Sequence, residues 1–451
     1  MKVIGIDLGT TFLKGAILDL DAHTLNHIHR EPFPDAVTGL PATRFEVDAM
    51  AIVSATRRLI AHLLIADPTA QAILMSSQMH GLVLADLQGK SHSNAITWRD
   101  QRVTEPHPGG KGNNFDTLKA LLTDDEIQQL GNELRPGLPI GALYCLAQDP
   151  ASVIHQPSIV PMTLPDFVVS NLSGMIVASE PTNATAHGLM HLAKGDWHWR
   201  VIEKLGLQRL HWQAIAKTGQ VVGAYKDETT GAQLPVYTPI GDQQCALYGV
   251  AIQPGELSIN ISTGSQVGLL AKDTAPGSYQ LRPYFDGHWL RTITHVPAGR
   301  ALNVLINFIT EFAKTAPNAD PDHIDKAIWQ YIALAMAHTP STNLKVNLGF
   351  FAAAGGGGMI SQIDESNLSI GHVFCAAFEH MTERYAECAL RLDPTNDYTR
   401  IAFSGGLAQN LPVLRKMISA KLGKPYRLSE HSEDVLLGLL NLGNVWLRQK
   451  T

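Results

Sequence analysis

Cysteine is scarce in this chain of 451 residues: only Cys145, Cys245, Cys375 and Cys388, all far apart. No CxxC pair or Cys/His zinc spacing can be drawn through them, which excludes a disulfide-stapled fold and a zinc-ribbon framework. Reduced, mostly buried thiols are the expectation, and with them a cytoplasmic setting. Excess charge is missing too. With 35 Lys and Arg against 41 Asp and Glu the net charge is −6 and no basic block stands out, so neither nucleic acid nor an anionic membrane surface has a footprint to bind. No apolar run reaches the roughly 18 residues that a membrane span needs, so none is expected. Met1-Lys2-Val3-Ile4-Gly5-Ile6-Asp7 enters a strand pattern at once, without the charged and apolar regions of a secretory leader. The histidines are scattered, and the pair His27 and His29 in an expected edge strand does not make a metal site.

What is present fits a well-packed enzyme, with 45% hydrophobic and 17% charged residues. The length exceeds what one core usually organises, which points to two domains. Strand patterns over residues 2–8, Lys14–Leu20 and Leu25–Arg30 precede a helix with Ala49, Ile52, Val53, Ile60, Leu63 and Leu64 on one face. Short strands follow at Ala72–Met75 and Leu82–Ala85. This mixture predicts an α/β fold with mixed sheets. Residues 104–140 are poor in apolar periodicity and read as a mobile surface loop, with 104–116 a candidate lid. From Glu256 the opening pattern returns as strand, small-residue turn and strand, so two halves of similar design are expected, 1–240 and 241–451. Helices are expected over Cys375–Leu390, Pro412–Leu422 and Glu433–Leu447, the second opened by a proline whose missing N–H costs nothing there.

Several segments carry residues suited to chemistry. Asp7-Leu8-Gly9-Thr10-Thr11 sets a carboxylate beside a tight turn whose N–H groups and hydroxyls suit a phosphate, with Asp7 a candidate Mg²⁺ ligand and Lys14 an added cation. An ordinary glycine hairpin is the plainer reading. Ser262-Thr263-Gly264-Ser265 repeats the donors without the carboxylate. Ser404-Gly405-Gly406, with Asn410 beyond, marks a close backbone approach or plain strand–helix packing. Asp242 follows Gly241 at a helix start, as an N-cap, a general base, or both. Gln78-Met79-His80 joins two strands, and Trp98-Arg99-Asp100-Gln101-Arg102 ends another. Sugar sites mix apolar platforms with a few polar groups in this way, while a satisfied core histidine and a surface ion cluster are the bland alternatives.

Taken in order, these motifs resemble the FGGY family of carbohydrate kinases, within the actin-like ATPase superfamily. The resemblance implies two ribonuclease-H-like domains around a deep interdomain cleft, with sugar in the first (residues 1–240) and ATP mainly on the second (241–451). It implies that Asp242 takes the proton from a terminal sugar hydroxyl attacking the γ-phosphate of ATP, with Mg²⁺ near Asp7. The nucleotide set is then Asp7, Gly9, Thr10, Thr11, Lys14, Thr263, Gly264, Ser265, Gly405, Gly406 and Asn410. The sugar set is Gln78, Met79, His80, Trp98, Asp100 and Asp242. Gln78-Met79-His80 is similar to ketose kinases. Gly241 to Ala246, Pro283-Tyr284-Phe285 and Asn367 to His372 are similar to sedoheptulokinases, so sedoheptulose is expected ahead of xylulose. A sugar-acid or polyol kinase and a non-catalytic ATP-dependent sugar sensor are the other readings, and a homodimer is left open. Two departures stand out: Asn347-Leu348-Gly349-Phe350-Phe351-Ala352, before glycines 355–358, replaces the family's Gly-Glu-Arg-x-Pro segment. Glu180-Pro181-Thr182-Asn183-Ala184 replaces Asp-x-Ser-x-Ala.

Overall fold

Aliphatic and β-branched residues fill strand Lys2–Leu8 on both faces, so it reads as a continuous apolar run and not an alternating one. It lies inside a seven-stranded mixed sheet. On one side it pairs antiparallel with Phe12–Asp19, which pairs antiparallel with Thr24–Pro32. On the other it runs parallel to Ile73–Ser77, which in turn runs parallel to Gln233–Tyr237 and Ile240–Gly241. The computed structural model describes residues 1–451 except 111, 228–230, 340, 352–355, 430, 432 and 449–451. Ala352 and Gly355 of the departing segment therefore lie outside the described residues, as does Lys111 of the candidate lid.

The second half builds a six-stranded sheet to the same plan. Glu256–Ile261 pairs antiparallel with Ser265–Ala271, and that with Trp289–Val296, while Arg400–Ser404 and then Tyr426–Leu428 add parallel strands on the other side. Gln280–Pro283 is the last strand on that side, beyond Trp289–Val296. In each half an antiparallel ribbon is followed by parallel strands, and the small-residue turn joins the first two.

Helix Ala49–Ala66 covers one face of the first sheet, burying Ile52, Val53, Leu59, Ile60 and Leu63. Asp48 caps it by accepting from the Met50 and Ala51 amides at 2.8 and 3.1 Å. Against expectation, this helix is long and apolar enough to cross a membrane by composition, with 18 residues at a mean hydropathy of 1.5. Its apolar stripe faces the core and Arg57 donates to the Asn171 carbonyl at 2.6 Å, so in the fold it is a core helix.

The opposite face is covered by two helices, Asp242–Gly249 and Asp434–Arg448. Leu436, Leu439, Leu440 and Leu442 pack with Val3, Ala16, Leu18, Leu74 and Cys245. The last helix therefore returns to the first sheet although the chain reaches it from the second. Two glycines permit the crossing. A Cβ on Gly438 would sit 2.0 Å from the Cys245 carbonyl oxygen, and one on Gly249 would sit 1.8 Å from that of Asp434.

The mobile loop expected over 104–140 is corrected by the structure. Helices Asn114–Leu121 and Asp124–Gln129 occupy much of it, the second started by a Thr123/Glu126 capping box. Leu118, Leu122, Leu130 and Leu138 join a separate core with Trp197 and Trp212. Each helix is too short for its apolar residues to show a period. Residues 106 and 113 bridge one another, which ties the base of the candidate lid.

Candidate functional site

The first turn folds as a hairpin, with the Gly9 amide donating to the Phe12 carbonyl at 3.1 Å. Thr10 and Thr11 are exposed at its tip, while Asp7 is buried at 5% exposure at the end of its strand. Burial pushes the Asp7 carboxyl up to about 7, helped by the charge of Asp242 and opposed by Lys14. Lys14 lies opposite Asp7 in the ladder, but its ammonium is engaged by Glu433 at 3.0 Å, and Arg30 pairs with the same carboxylate. Glu433 precedes the returning helix, so this contact ties the last helix to the first sheet.

Gln78 continues the strand that carries it, donating Nε2 to the Gly9 carbonyl at 3.2 Å. His80 has a left-handed φ of 67° and is buried. It lies 3.0 Å from the Ala186 carbonyl through Nδ1 and 2.8 Å from Arg135 through Nε2. A carbonyl only accepts and a guanidinium only donates, so the ring is neutral with its proton on Nδ1. Burial and the Arg135 charge hold it well below the usual histidine range.

Asp242 is the first residue of its helix, and Gly241, not Asp242, is the N-cap. Its Oδ1 accepts the Gln243 amide at 2.8 Å, and burial pushes the carboxyl up to about 6. The departing segment Glu180–Ala184 holds the approach to it. Thr182 Oγ1 accepts the Gly241 amide at 2.8 Å and donates to Glu180, while Asn183 Nδ2 donates to the Pro239 carbonyl at 2.6 Å. Glu180 also accepts from Thr218 at 2.5 Å. The substitution from the family pattern therefore falls on the groups that set the backbone just before Asp242.

In the second turn Thr263 and Gly264 are exposed, and the N-terminus of helix Gly299–Lys314 closes on it, Gly299 and Arg300 amides donating to the Ser262 and Thr263 carbonyls at 3.0 and 2.8 Å. Ser265 does not present its hydroxyl to the turn. It is buried, donating to the Asn260 carbonyl at 2.5 Å and accepting from Tyr385 at 2.9 Å. Gly405 has a φ of 90°, and a Cβ there would lie 2.5 Å from the Ile261 carbonyl oxygen. That close approach brings Gly406 and Asn410 beside Ser262 and Thr263 in one cleft of about 630 Å³, shared with Gly299 and Trp329. This is within the usual range for a cofactor site. A smaller pocket of about 130 Å³ places Asp242 and Gln243 opposite Asn260, Gln266 and Ser404.

Within the Trp98–Arg102 segment Asp100 and Arg102 form a buried ion pair, while Arg99 stays at the surface. Asp100 accepts from the Phe45 amide at 2.8 Å, the Arg102 amide at 3.0 Å and the Arg102 side chain at 2.8 and 2.9 Å. Its oxygens are thus taken up within the protein. Arg102 also reaches Glu46 at 2.5 Å, Arg99 lies 3.8 Å over the Phe45 ring, and Trp98 is half-buried.

Among the described residues no three His, Cys, Asp or Glu side chains gather as a metal cage. Mg²⁺ does not require one, since it keeps waters and phosphate oxygens and takes one or two carboxylates. Asp7, buried with a second carboxylate near, is a group whose ionised form a cation would favour, so the residues fit.

Sequence reasoning missed Glu133, Arg135, Arg282, Gln243 and His295. Arg282 is 2% exposed and Glu133 fully buried, and the two pair directly. Arg282 also donates to Gln243 and lies 3.8 Å from the Met79 sulfur. His295 has a left-handed φ of 61° and is held near 4 by burial and the two guanidiniums. Glu133 and Arg282 are 149 positions apart and sit in unremarkable local sequence, so no motif could have paired them.

A sequence profile described as "FGGY family of carbohydrate kinases, N-terminal domain" matches residues 2–249, more than half of the chain. The chain belongs to the FGGY family of carbohydrate kinases. A glycerol kinase of Thermococcus gammatolerans is 25% identical over 277 residues, which are 58% of this chain and 52% of that one. This FGGY-family chain thus spans about half the length of the curated relatives it matches. A xylulose kinase from Rhodospirillum rubrum superposes with a TM-score of 0.83 at 19% identity, covering 98% of this chain and 90% of that one. Plasmodium falciparum glycerol kinase with ADP gives 0.83 at 18% identity, covering 99% and 90%. At such identities the likeness establishes the fold, the two-lobed actin-like ATPase type with mixed sheets.

Proposed function

We propose that this protein is an ATP-dependent kinase that transfers the γ-phosphate to a terminal primary hydroxyl of a small ketose, sedoheptulose first and xylulose second. The observation that carries the reading is Asp242: a half-buried carboxylate on the first turn of a helix, beside Asp7 and facing the polar groups of the second sheet across a small pocket. In this reading residues 1–240 hold the sugar and 241–451 hold ATP, with the helices Asp242–Gly249 and Asp434–Arg448 as the crossing between them.

Asp242 accepts the proton of the attacking hydroxyl, the backbone leading to it being held at Gly241 by Thr182 and at Pro239 by Asn183. Gln78, Met79 and Trp98 orient the sugar, and neutral His80, both of whose nitrogens are engaged by Ala186 and Arg135, lines the site with its ring. Thr10, Thr11, Thr263 and the backbone of Gly264 donate to phosphate oxygens, Gly9 closes the first turn through its amide, and Gly405, Gly406 and Asn410 shape the cleft for the nucleoside. Mg²⁺, when bound near Asp7, supplies charge neutralisation at the phosphates. Lys14, Ser265 and Asp100 contribute indirectly, since their polar groups are engaged by Glu433, Asn260 and Arg102. Phosphoryl transfer asks for positioning and electrostatics more than covalent chemistry, and this set provides both.

ADP release from MgATP, measured with sedoheptulose, xylulose, ribulose, fructose, gluconate, ribitol and glycerol, tests the reading. Acceleration by one ketose well above background is the expected result. A flat panel with ATP still binding would instead favour a non-catalytic sugar sensor, a role in which an Asp242 lining the pocket has no evident use.

A further inference from the structure

Resting on the kinase reading above, we propose that Arg282 is a substrate-binding residue supplied by the second lobe, held in place by Glu133 of the first, and that the pair selects a neutral sugar by sharing one of its hydroxyls.

The two lobes are built to meet at this point. Arg282 lies on Gln280–Pro283, the edge strand whose partner in the sheet is Trp289–Val296. Its outward edge receives a segment of the first lobe. The Leu281 amide donates to the Gly131 carbonyl at 2.9 Å, and Asn132 Nδ2 donates to the Gly277 and Tyr279 carbonyls at 2.9 and 3.0 Å. Gly131 has a φ of 73°, and a Cβ there would stand 2.2 Å from the Leu281 carbonyl oxygen, so glycine is needed for the approach. This backbone contact delivers Glu133 to Arg282.

The side chains are incompletely paired. Arg282 Nε meets Glu133 Oε1 and Nη1 meets Gln243, yet Nη2, buried from water, finds no hydrogen-bond partner among the described residues. Glu133 Oε2 is in the same condition, 3.8 Å from an Arg135 Nε that also makes no hydrogen bond. Buried charged groups seldom stay unpaired, because nothing replaces the water they lost. Unmet donors and an unmet acceptor lie together around Met79, His80 and Gln243. A sugar hydroxyl answers both, accepting from Nη2 while donating to Oε2.

Charge chooses the class of sugar. Arg135 and Arg282 stand against Glu133 and Asp242, so the wall is balanced before substrate arrives. A sugar acid would add an unmatched carboxylate to it. A neutral ketose or polyol adds only hydroxyls. Since the reading group comes from the second lobe, the sugar is fully recognised only when the lobes are together.

The test uses the full chain and its variants Arg282→Lys, Arg282→Gln and Glu133→Gln. Steady-state kinetics are taken with sedoheptulose, xylulose, gluconate and the monodeoxy analogues of the accepted ketose, alongside thermal melting and MgATP binding. Both Arg282 variants are expected to raise the sugar KM by about tenfold or more while the MgATP KM moves by less than about twofold. One deoxy analogue discriminated by the native protein should lose that discrimination in Arg282→Gln. Arg282→Lys keeps the charge for Glu133 but not the planar fork that carries a further nitrogen, Nη2, past that pair, so it should restore melting relative to Arg282→Gln without restoring sugar affinity. Full kinetic rescue by Lys, unchanged deoxy discrimination, or gluconate preferred over the ketoses would each overturn the assignment and leave a structural latch. If no sugar in the series accelerates the native protein, the kinase reading itself falls, an outcome separate from all of these.

Discussion

The crossing of the two covering helices gives a prediction that can be worked from one carbon atom. In Gly438→Ala the added Cβ would lie 2.0 Å from the Cys245 carbonyl oxygen and 2.8 Å from its carbonyl carbon and sulfur. A helix interior would otherwise welcome alanine, gaining about 1 kcal/mol over glycine. Overpacking opposes this by about 1–3 kcal/mol, and the upper end applies because the obstacle is backbone on a buried helix that cannot rotate aside. The net expectation is a loss of about 1–2 kcal/mol, or more if the helices must part. The displaced helix carries Asp242 at its start, so turnover should fall along with stability. Urea unfolding and MgATP-saturated turnover with the accepted ketose give the two readouts. Cys245→Ala in the same chain should not rescue either, since the clash is with the carbonyl. A stabilised Gly438→Ala, or rescue by Cys245→Ala, would refute the argument that backbone contact demands glycine here.

Other outcomes follow from the site. Asp242→Asn should lower kcat by about 10²–10⁴-fold with MgATP binding retained, as removal of a general base does, and near-native turnover would sink the assignment. Because the folded carboxyl of Asp242 is raised to about 6, its base form is lost as pH falls through that value, so kcat should decline below about pH 6 on a pH–rate profile. Thr182→Val leaves the buried Gly241 amide unsatisfied and removes one of the hydrogen bonds to Glu180, which keeps those from the residue-182 amide and Thr218, costing about 1–3 kcal/mol in urea unfolding and lowering kcat more than the MgATP KM. Asp166, buried and raised from 3.8 to about 7, favours its protonated form in the fold, so its contribution is present at acid pH and lost as pH rises toward 7. Asp166→Asn should therefore stabilise the protein above pH 7 and confer little below pH 4, compared by melting across pH.

The two small-residue turns, the helix starts and the strand pattern were legible in the residues because their physics is local. Gly9-Thr10-Thr11 and Ser262-Thr263-Gly264 are turns by virtue of their own small residues, and Pro412 begins its helix because its ring suits only that position. Similar strand–turn–strand stretches in the two halves become similar sheets for the same reason. Tertiary structure alone decided the rest. The apolar stripe of Asp434–Arg448 says that one face is buried, not that it crosses back to the first sheet, since any apolar surface would satisfy it. Lys14 meets Glu433 and Arg282 meets Glu133 across 419 and 149 positions, and a charge carries no mark of its partner until folding brings the two together. Ser265 looked like a phosphate donor until Tyr385 and the Asn260 carbonyl engaged its hydroxyl. Sequence determines which groups a segment offers, while long-range packing determines which of them remain available to a ligand.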